Sequence, residues 1–367
     1  MTGRSPTAAV AVALAVAGVA SVAAALGSGI DGAATADEPA ERVPLQRADD
    51  PGDVPLPSEA RLVDTSNPDR VIGTGTPASC TSRAVVDAVA AGGIITFDCG
   101  PDPVTITMTQ TAKVVNTSPI VVLDGGGIVT LSGAGQRRIL YMNTCDRAQI
   151  WTTPHCQNQD HPQLTMQGLT FRDGNSTGDV TEGGGGGAVF VRGGRVKVLD
   201  STFIDNRCDS AGPDLGGAAL RVLSQYEGLP VVVAGSEFRG NDCSNGAAIS
   251  SIGVSWRIYN SEFTNNHAIG NGANPARAGT PGGGSGGAIY LDGNRFTLDL
   301  RGSVIEGNSA REGGGAIFFV SNNRTGELRI ERSLLDGNPS LGFETRGFPG
   351  IFFLGRGAPQ VVDSTIR

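Results

Sequence analysis

The sequence predicts an all-β chain folded as a right-handed parallel β-helix, a single-stranded solenoid of about three short strands per rung with an N-terminal capping helix. Three observations predict it. Glycine supplies 55 of 367 residues, roughly double its average usage of about 7%, while 39% of residues stay hydrophobic. Many tight turns around a packed core follow from that, and a coiled coil, a helical bundle or collagen do not. A short phrase, Ser-x-apolar-x-x-Asn, recurs at Ser201–Asn206, Ser236–Asn241, Ser261–Asn266, Ser303–Asn308 and Ser333–Asn338, with a looser copy from Leu169 to Asn175. A second phrase of glycines, alanine and apolar residues lies between copies, as in Gly186–Val189, Gly216–Ala219, Gly246–Ile249, Gly286–Ile289 and Gly314–Ile317. Third, Val196-Lys197-Val198, Trp256-Arg257-Ile258, Leu298-Asp299-Leu300 and Leu328-Arg329-Ile330 alternate with the period of a half-buried strand. The asparagines of the phrase are 31, 35, 25, 42 and 30 residues apart, so rungs of unequal length are expected.

Taken in order, residues 1–36 read as a secretory signal peptide: Arg4, then the uncharged run Ala8–Leu26, then Ala34-Thr35-Ala36 as a cleavage site. No later segment is apolar enough to cross a bilayer, so no membrane span is expected once the signal is removed. Residues 37–77, rich in Pro, Asp, Glu and Arg, read as a disordered spacer. The solenoid is expected over 78–367. Its capping helix is expected at Thr81–Ala91, with Ala84, Val85, Ala88 and Val89 on one face and Gly92-Gly93 ending it. Early strands follow at Ile94–Phe97, Val104–Thr107, Ile120–Leu123 and Ile128–Leu131.

Six cysteines behind an export signal favour disulfides, and local spacing selects Cys80–Cys99, Cys145–Cys156 and Cys208–Cys243. The second pins an insertion at 144–163 that carries His155, Asp160 and His161; a pinned loop with incidental histidines is favoured there over a metal site. Stacked rungs place Phe171, Phe203, Phe238, Phe263, Ile305 and Leu335 in one inward column, about 4.8 Å per step. Ser201, Ser236, Ser261, Ser303, Ser333 and Ser364 form a corner column, and the asparagines fill a turn where left-handed backbone is tolerated. Arg257, Asp299 and Arg329 are expected to stack outside as an alternating-charge ladder. Val361–Arg367 repeats Val198–Phe203 and stops within a rung, which leaves room for a cap from another chain or subunit.

Function is less legible. A net charge of −8 with scattered arginines and only Lys113 and Lys197 as lysines argues against nucleic acid. Gly286–Ile289 and Gly314–Ile317, with Phe203–Asn206, Phe238–Asn241 and Phe263–Asn266, resemble the repeats of the chlamydial polymorphic membrane protein family. Leu123–Gly127 through Leu131-Ser132-Gly133 resembles the opening rungs of secreted right-handed parallel β-helix repeat proteins. The resemblance covers roughly 78–367 and implies a pectate-lyase-like fold in a surface or secreted adhesin; the autotransporter barrel of that family has no counterpart in this sequence. Polygalacturonase-like phrases are missing: Asp49-Asp50 lies in the spacer, Gly-His-Gly does not occur, and Arg329-Ile330 is followed by Glu331.

The leading expectation is therefore a secreted or cell-surface β-helix that binds extracellular polysaccharide or a cell-surface partner without catalysis or cofactor. The alternative is a Ca²⁺-dependent polysaccharide lyase acting on acidic glycans by β-elimination. For that, Glu237 and Glu262 share an outward column with Asp205 and Asp242 near the next turn as calcium ligands, and Arg239 and Arg257 are the candidate bases. For binding, Phe190, Leu220, Ile249, Tyr290, Phe318 and Phe352 are read as one column after the alanines. Facing outward it would stack on sugar rings; facing inward it is core, and the inward reading is favoured because large exposed apolar strips are uncommon. His155 and His161 on the pinned loop are the other candidate contacts.

Overall fold

The computed structural model describes residues 52–180 and 184–367; the expected signal peptide and residues 37–51 of the expected spacer lie outside them. The named strands pair in parallel throughout. Two stacks run side by side in one large sheet. The first climbs through Arg195–Leu199, Val231–Ala234, Trp256–Tyr259, Thr297–Arg301 and Glu327–Glu331, the second through Thr202–Ile204, Glu237–Arg239, Glu262–Thr264, Val304–Glu306 and Leu334–Asp336. A separate eight-stranded sheet runs from Ala112–Lys113 and Leu140–Asn143 up to Ile317–Ser321 and Ile351–Leu354. Short pairs Asp242–Cys243, His267–Ala268 and Ser309–Ala310 form a third stack. Each turn of chain visits these surfaces once and returns one rung up, which is a parallel β-helix.

The register is the predicted one. Phe171, Phe203, Phe238, Phe263, Ile305 and Leu335 are successive partners. Their four rings stack at 4.9, 4.9 and 4.7 Å with tilts of 11°, 4° and 2°. Each is fully buried, a contribution of about 1.5–3 kcal/mol per ring plus about 0.5–1.5 kcal/mol per stacked pair.

The polar columns hold the corners. Each serine donates to the carbonyl two residues before it, as Ser236 Oγ does to Ala234 O at 2.9 Å. It also accepts the backbone N–H of the serine one rung earlier in the chain, from Ser201 N at 3.2 Å through Ser333 N onto Ser364 at 3.0 Å. The asparagines do more. Asn241 Nδ2 donates to Asn266 Oδ1 (2.8 Å) and Phe203 O (3.2 Å), while its Oδ1 accepts Asn206 N (3.0 Å) and Asn206 Nδ2 (2.9 Å). The same pattern continues through Asn308 to Asn338. Two details differ from the sequence reading. The ladder asparagines are not themselves left-handed; the residue before each is, namely Asp205, Gly240, Asn265, Gly307 and Gly337. Below Asn206 the equivalent position is Gly174, whose N–H meets Asn206 Oδ1 at 2.8 Å, so Asn175 lies one residue off the ladder.

Helix α1 spans Ser82–Ala91, with Thr81 Oγ1 accepting Ala84 N at 3.2 Å and Gly92 at φ 70° ending it. Val85, Ala88 and Val89 are buried in the main core, against Arg70–Ile72 and Ala112–Lys113. Cys80–Cys99, Cys145–Cys156 and Cys208–Cys243 are bonded as expected, with Cα–Cα distances of 5.7, 4.9 and 4.9 Å. The expected strands at 120–123 and 128–131 are one strand, Ile120–Ser132.

The largest departure is the expected spacer. Residues 54–72 are ordered against the solenoid. Val54 exchanges N–H and carbonyl with the Asn260 carboxamide (2.8 and 2.9 Å), and Val63 does the same with Gln167 (2.9 and 3.0 Å). Val54 and Ala60 are buried with Leu199, Val232, Ala234 and Tyr259, and Arg70–Ile72 pairs with Gly93–Phe97. Composition misled here because the strap takes its hydrogen bonds from side chains and its burial from outward-facing apolar residues of the sheet, neither of which leaves a periodic pattern. The strap also changes the charge ladder. Arg257, Asp299 and Arg329 are in register, but Arg257 pairs with Glu59 of the strap (2.7 Å), Asp299 with Arg301 (2.7 Å) and Arg329 with Glu331 (2.9 Å). No helix among the described residues is long and apolar enough to cross a membrane.

Candidate functional site

The outer face of the eight-stranded sheet carries the site. Leu140, Val189, Leu220, Ile249, Ile289, Ile317 and Ile351 are register partners and point into the core. The next residue on each strand points the other way, giving the outward column Tyr141, Phe190, Arg221, Ser250, Tyr290, Phe318 and Phe352. This corrects the inward reading of the aromatic column: Leu220 and Ile249 belong to the core, Arg221 and Ser250 take their places, and the aromatics face out. They are nevertheless mostly buried, because loops cover them. Tyr141 and Phe190 stack at 5.5 Å beneath the Arg138 guanidinium, which is held by Gly185 O, Gly186 O and Asp179. Burial pulls the Arg138 pKa down, and Asp179 opposes the shift.

Higher up, two loops fold over Arg221 and Tyr290. The first, 208–216, is tied by Cys208–Cys243 and by Asn245 Nδ2, which donates to the carbonyls of Gly212, Pro213 and Leu215 at 2.9–3.0 Å. The second, 270–284, is clamped by the buried Glu312, whose carboxylate takes both terminal nitrogens of Arg277 (2.6 Å each) and Gly272 N (2.8 Å). Arg277 holds the Glu312 carboxyl below the usual range.

Where these loops end, a groove of about 980 Å³ opens. Phe318, Phe343 and Phe352 form its apolar wall: Phe352 stacks on Phe318 at 5.2 Å, and Phe343 stands against Phe352 at 79°. Its polar wall is a hydrogen-bonded cluster. Asn274 Nδ2 lies 2.6 Å from Asp214 Oδ1, 3.0 Å from the Tyr290 hydroxyl and 3.2 Å from Asp292 Oδ2. Asp292 Oδ1 accepts Gly293 N (2.6 Å) and Asn322 Nδ2 (3.0 Å). Burial pushes the Asp292 carboxyl above the usual range, with the Asp214 charge adding to it and the Gly293 and Asn322 hydrogen bonds opposing. The Tyr290 phenol is raised by burial and then by Asp292, so it stays a neutral donor. Arg221, donating to Asp214 O at 2.6 Å, is pushed down by burial to about 10. Such a groove offers apolar ring edges on one side and fixed planar acceptors and donors on the other, the combination that suits a ligand with both C–H faces and hydroxyls.

The other sequence candidates lie elsewhere. Glu237 and Glu262 are register partners as expected, with Arg239 donating to Glu237 at 2.9 Å. Arg172 reaches Asp205 at 3.8 Å, and Asp242 sits beside His267. The guanidinium groups of Arg239 and Arg257 are therefore engaged in ion pairs. Among the described residues no three His, Cys, Asp or Glu side chains are grouped to hold a metal ion. His155 is exposed and precedes the short 3₁₀ turn Cys156–Asn158, and His161 is half-buried and precedes Pro162; Trp151 on the same pinned loop is also exposed, with the Arg147 guanidinium 5.0 Å from its centre. Of the candidates, the structure gathers Tyr290, Phe318 and Phe352 at the groove and leaves Phe190 under Arg138. Asp214, Asn274, Asp292, Asn322 and Phe343 escaped the sequence reading. The 42-residue step between Asn266 and Asn308 marks the inserted loop and could have pointed to Asn274 and Asp292; no repeat spacing marks Asp214, Asn322 or Phe343.

The repeat family described as the Chlamydia polymorphic membrane protein (Chlamydia_PMP) repeat matches residues 302–320. That stretch runs from left-handed Gly302 through the Ser303 corner, the Ile305 column and the Asn308 ladder into strand Ile317–Ser321. It supports a surface β-helix protein. No curated protein and no solved structure matches the chain.

Proposed function

We propose that this chain is a secreted or surface-displayed β-helix that binds an extracellular saccharide chain in the groove between Phe318, Phe343, Phe352 and the Asn274 cluster, without chemistry. The observation that carries the reading is the Asn274 amide, which ties Asp214, Tyr290 and Asp292 into one fixed polar wall opposite three phenylalanines. Three disulfides fit an oxidising compartment. One observation favours a second reading, glycosidic hydrolysis: a raised carboxyl, Asp292, shares a hydrogen-bond donor with the carboxylate of Asp214. Against it, both oxygens of Asp292 already accept donors from the protein.

The test is titration of the secreted chain with neutral and acidic oligosaccharides, with reducing ends and unsaturated uronates assayed in the same tubes. Binding that falls at least about tenfold in both Asn274→Ala and Phe352→Ala, about 1.4 kcal/mol, with no product formed, is the expected result. Product formation that disappears in Asp292→Asn gives the site to hydrolysis, and calcium-dependent uronate product gives the chain to the lyase reading. Binding indifferent to both substitutions removes the groove from consideration.

A further inference from the structure

We infer that the corner after the eight-stranded sheet is a second site, which takes the acidic groups of a polyanionic polysaccharide. It is an open basin of about 1040 Å³ on the turns of five successive rungs, from Glu227 to Arg356, the last three of which carry an arginine. Arg295 lies between strands Ile289–Gly293 and Thr297–Arg301, Arg324 between Ile317–Ser321 and Glu327–Glu331, and Arg356 between Ile351–Leu354 and Gln360–Val362. All three are exposed. Arg356 is paired with Glu327 at 3.0 Å, whereas Arg295 and Arg324 have no ion-pair partner among the described residues. Several other guanidinium groups of this acidic chain are held in ion pairs, as at Arg239, Arg257, Arg301 and Arg329. Two guanidiniums from adjacent rungs, free of ion pairs, line one basin, where Arg295, Arg324 and Arg356 outnumber the carboxylates Glu227 and Glu327.

The turn that presents Arg324 is built rather than loose. Arg324 has φ 57°, a conformation that costs a side-chain-bearing residue free energy. Its N–H donates to Ser321 O at 2.8 Å, and Thr325 is fixed by Asn323 Oδ1, at 3.1 Å from its N and 2.7 Å from its Oγ1. The turn's backbone is therefore fixed at the point where Arg324 lines the basin. Rungs repeat about every 4.8 Å, comparable with the length of a monosaccharide, so successive acidic sugars can meet successive arginines. Guanidinium matches carboxylate and sulfate in bidentate geometry. The net charge of −8 does not forbid this, since exposed charges beyond about 8 Å are largely screened at physiological salt. Glu227, also on the rim, offsets part of the local charge.

The experiment uses the full secreted chain with heparin oligosaccharide, polygalacturonate, neutral dextran, and anionic phospholipid vesicles as probes. The double variant Arg295→Ala/Arg324→Ala should lose at least about tenfold in affinity for one of the two polyanions while keeping its thermal midpoint. Arg295→Lys/Arg324→Lys should keep the salt dependence of binding with part of the affinity. Neutral-sugar binding in the phenylalanine groove should be unchanged by either, so this site and that groove can fail separately. No binding of either polyanion, equal binding by the alanine variant, or arginine-dependent binding of the vesicles but not the glycans would each overturn the assignment.

Discussion

Replacing Asn241 by alanine should be among the most costly single changes in the solenoid. The wild-type amide oxygen accepts two donors from Asn206, the backbone N–H at 3.0 Å and Nδ2 at 2.9 Å. Both asparagines are fully buried, so water does not replace the lost acceptor. Asn206 Nδ2 keeps Phe171 O at 3.2 Å, but its second hydrogen and the backbone N–H are orphaned. At about 1–3 kcal/mol for each unsatisfied buried donor, the loss is about 2–6 kcal/mol. Ser236→Ala orphans one donor, Ser201 N, and should cost about half as much. Urea unfolding followed by far-ultraviolet circular dichroism, with disulfides intact and slopes compared, measures both. If Asn241→Ala fails to fold, Asn338→Ala removes the same two contacts from Asn308 at a position 6% exposed, and should fold with a smaller loss. A loss below about 1 kcal/mol at Asn241, or one no larger than at Ser236, would refute the idea that the ladder holds this turn.

Phe238→Ala empties the middle of a ring stack and should cost about 3–5 kcal/mol; a urea midpoint near wild type would show the column to be dispensable. Glu312 should make the loop over the groove acid-sensitive. Its folded pKa lies below the ordinary glutamate value of about 4.3 because of Arg277, so its contribution is full above that value and is lost as pH falls through the depressed one. Hydrogen-exchange protection in residues 270–284, taken relative to the intrinsic rate at each pH, should fall on acidification, and fall already at pH 6 in Glu312→Gln; unchanged protection in the variant would count against the clamp. Asn260→Ala removes both hydrogen bonds to Val54, so limited proteolysis should cut residues 52–60 faster while the solenoid core stays resistant. Losing Cys208–Cys243, which closes a 35-residue separation, should cost about 2–4 kcal/mol and weaken saccharide binding through the 208–216 loop.

What was legible in the sequence is what the stacking itself dictates. In a parallel stack each side chain meets its counterpart one rung away, so a phrase that repeats Phe203, Phe238 and Phe263 at fixed offsets from Ser and Asn announces its own register. Three disulfides could be paired for the same reason, since each joins positions close along the chain or one rung apart. The left-handed position escaped because Asp205, Gly240, Asn265 and Gly307 share no single residue type, only a tolerance of positive φ. The facing of the aromatic column escaped because Ala248-Ile249-Ser250 and Ala288-Ile289-Tyr290 differ in whether the outward position is polar, and an outward tyrosine next to an inward isoleucine reads as one apolar run.

The corrections share a physical origin that bears on where function sits. A rung that only stacks needs nothing beyond its columns, and its outer face is free to be polar. Wherever this solenoid shows buried apolar residues on an outer face, something added to the rung covers them: the strap over Val232 and Tyr259, the tied loops over Arg221 and Tyr290. Those additions bring the isolated polar contacts, Asn260 to Val54 and Asn274 to Asp214, that no periodicity encodes. The strap's cover is complete enough to bury Val54 and Ala60, so that face binds its own chain. The cover over the eight-stranded sheet stops short at Phe352, Phe343 and Asp292, which stay partly exposed. An apolar wall that the fold has started to cover and not finished is where a ligand gains most by completing the burial, and that is why the groove, rather than the stacked glutamates, is the place to look for binding.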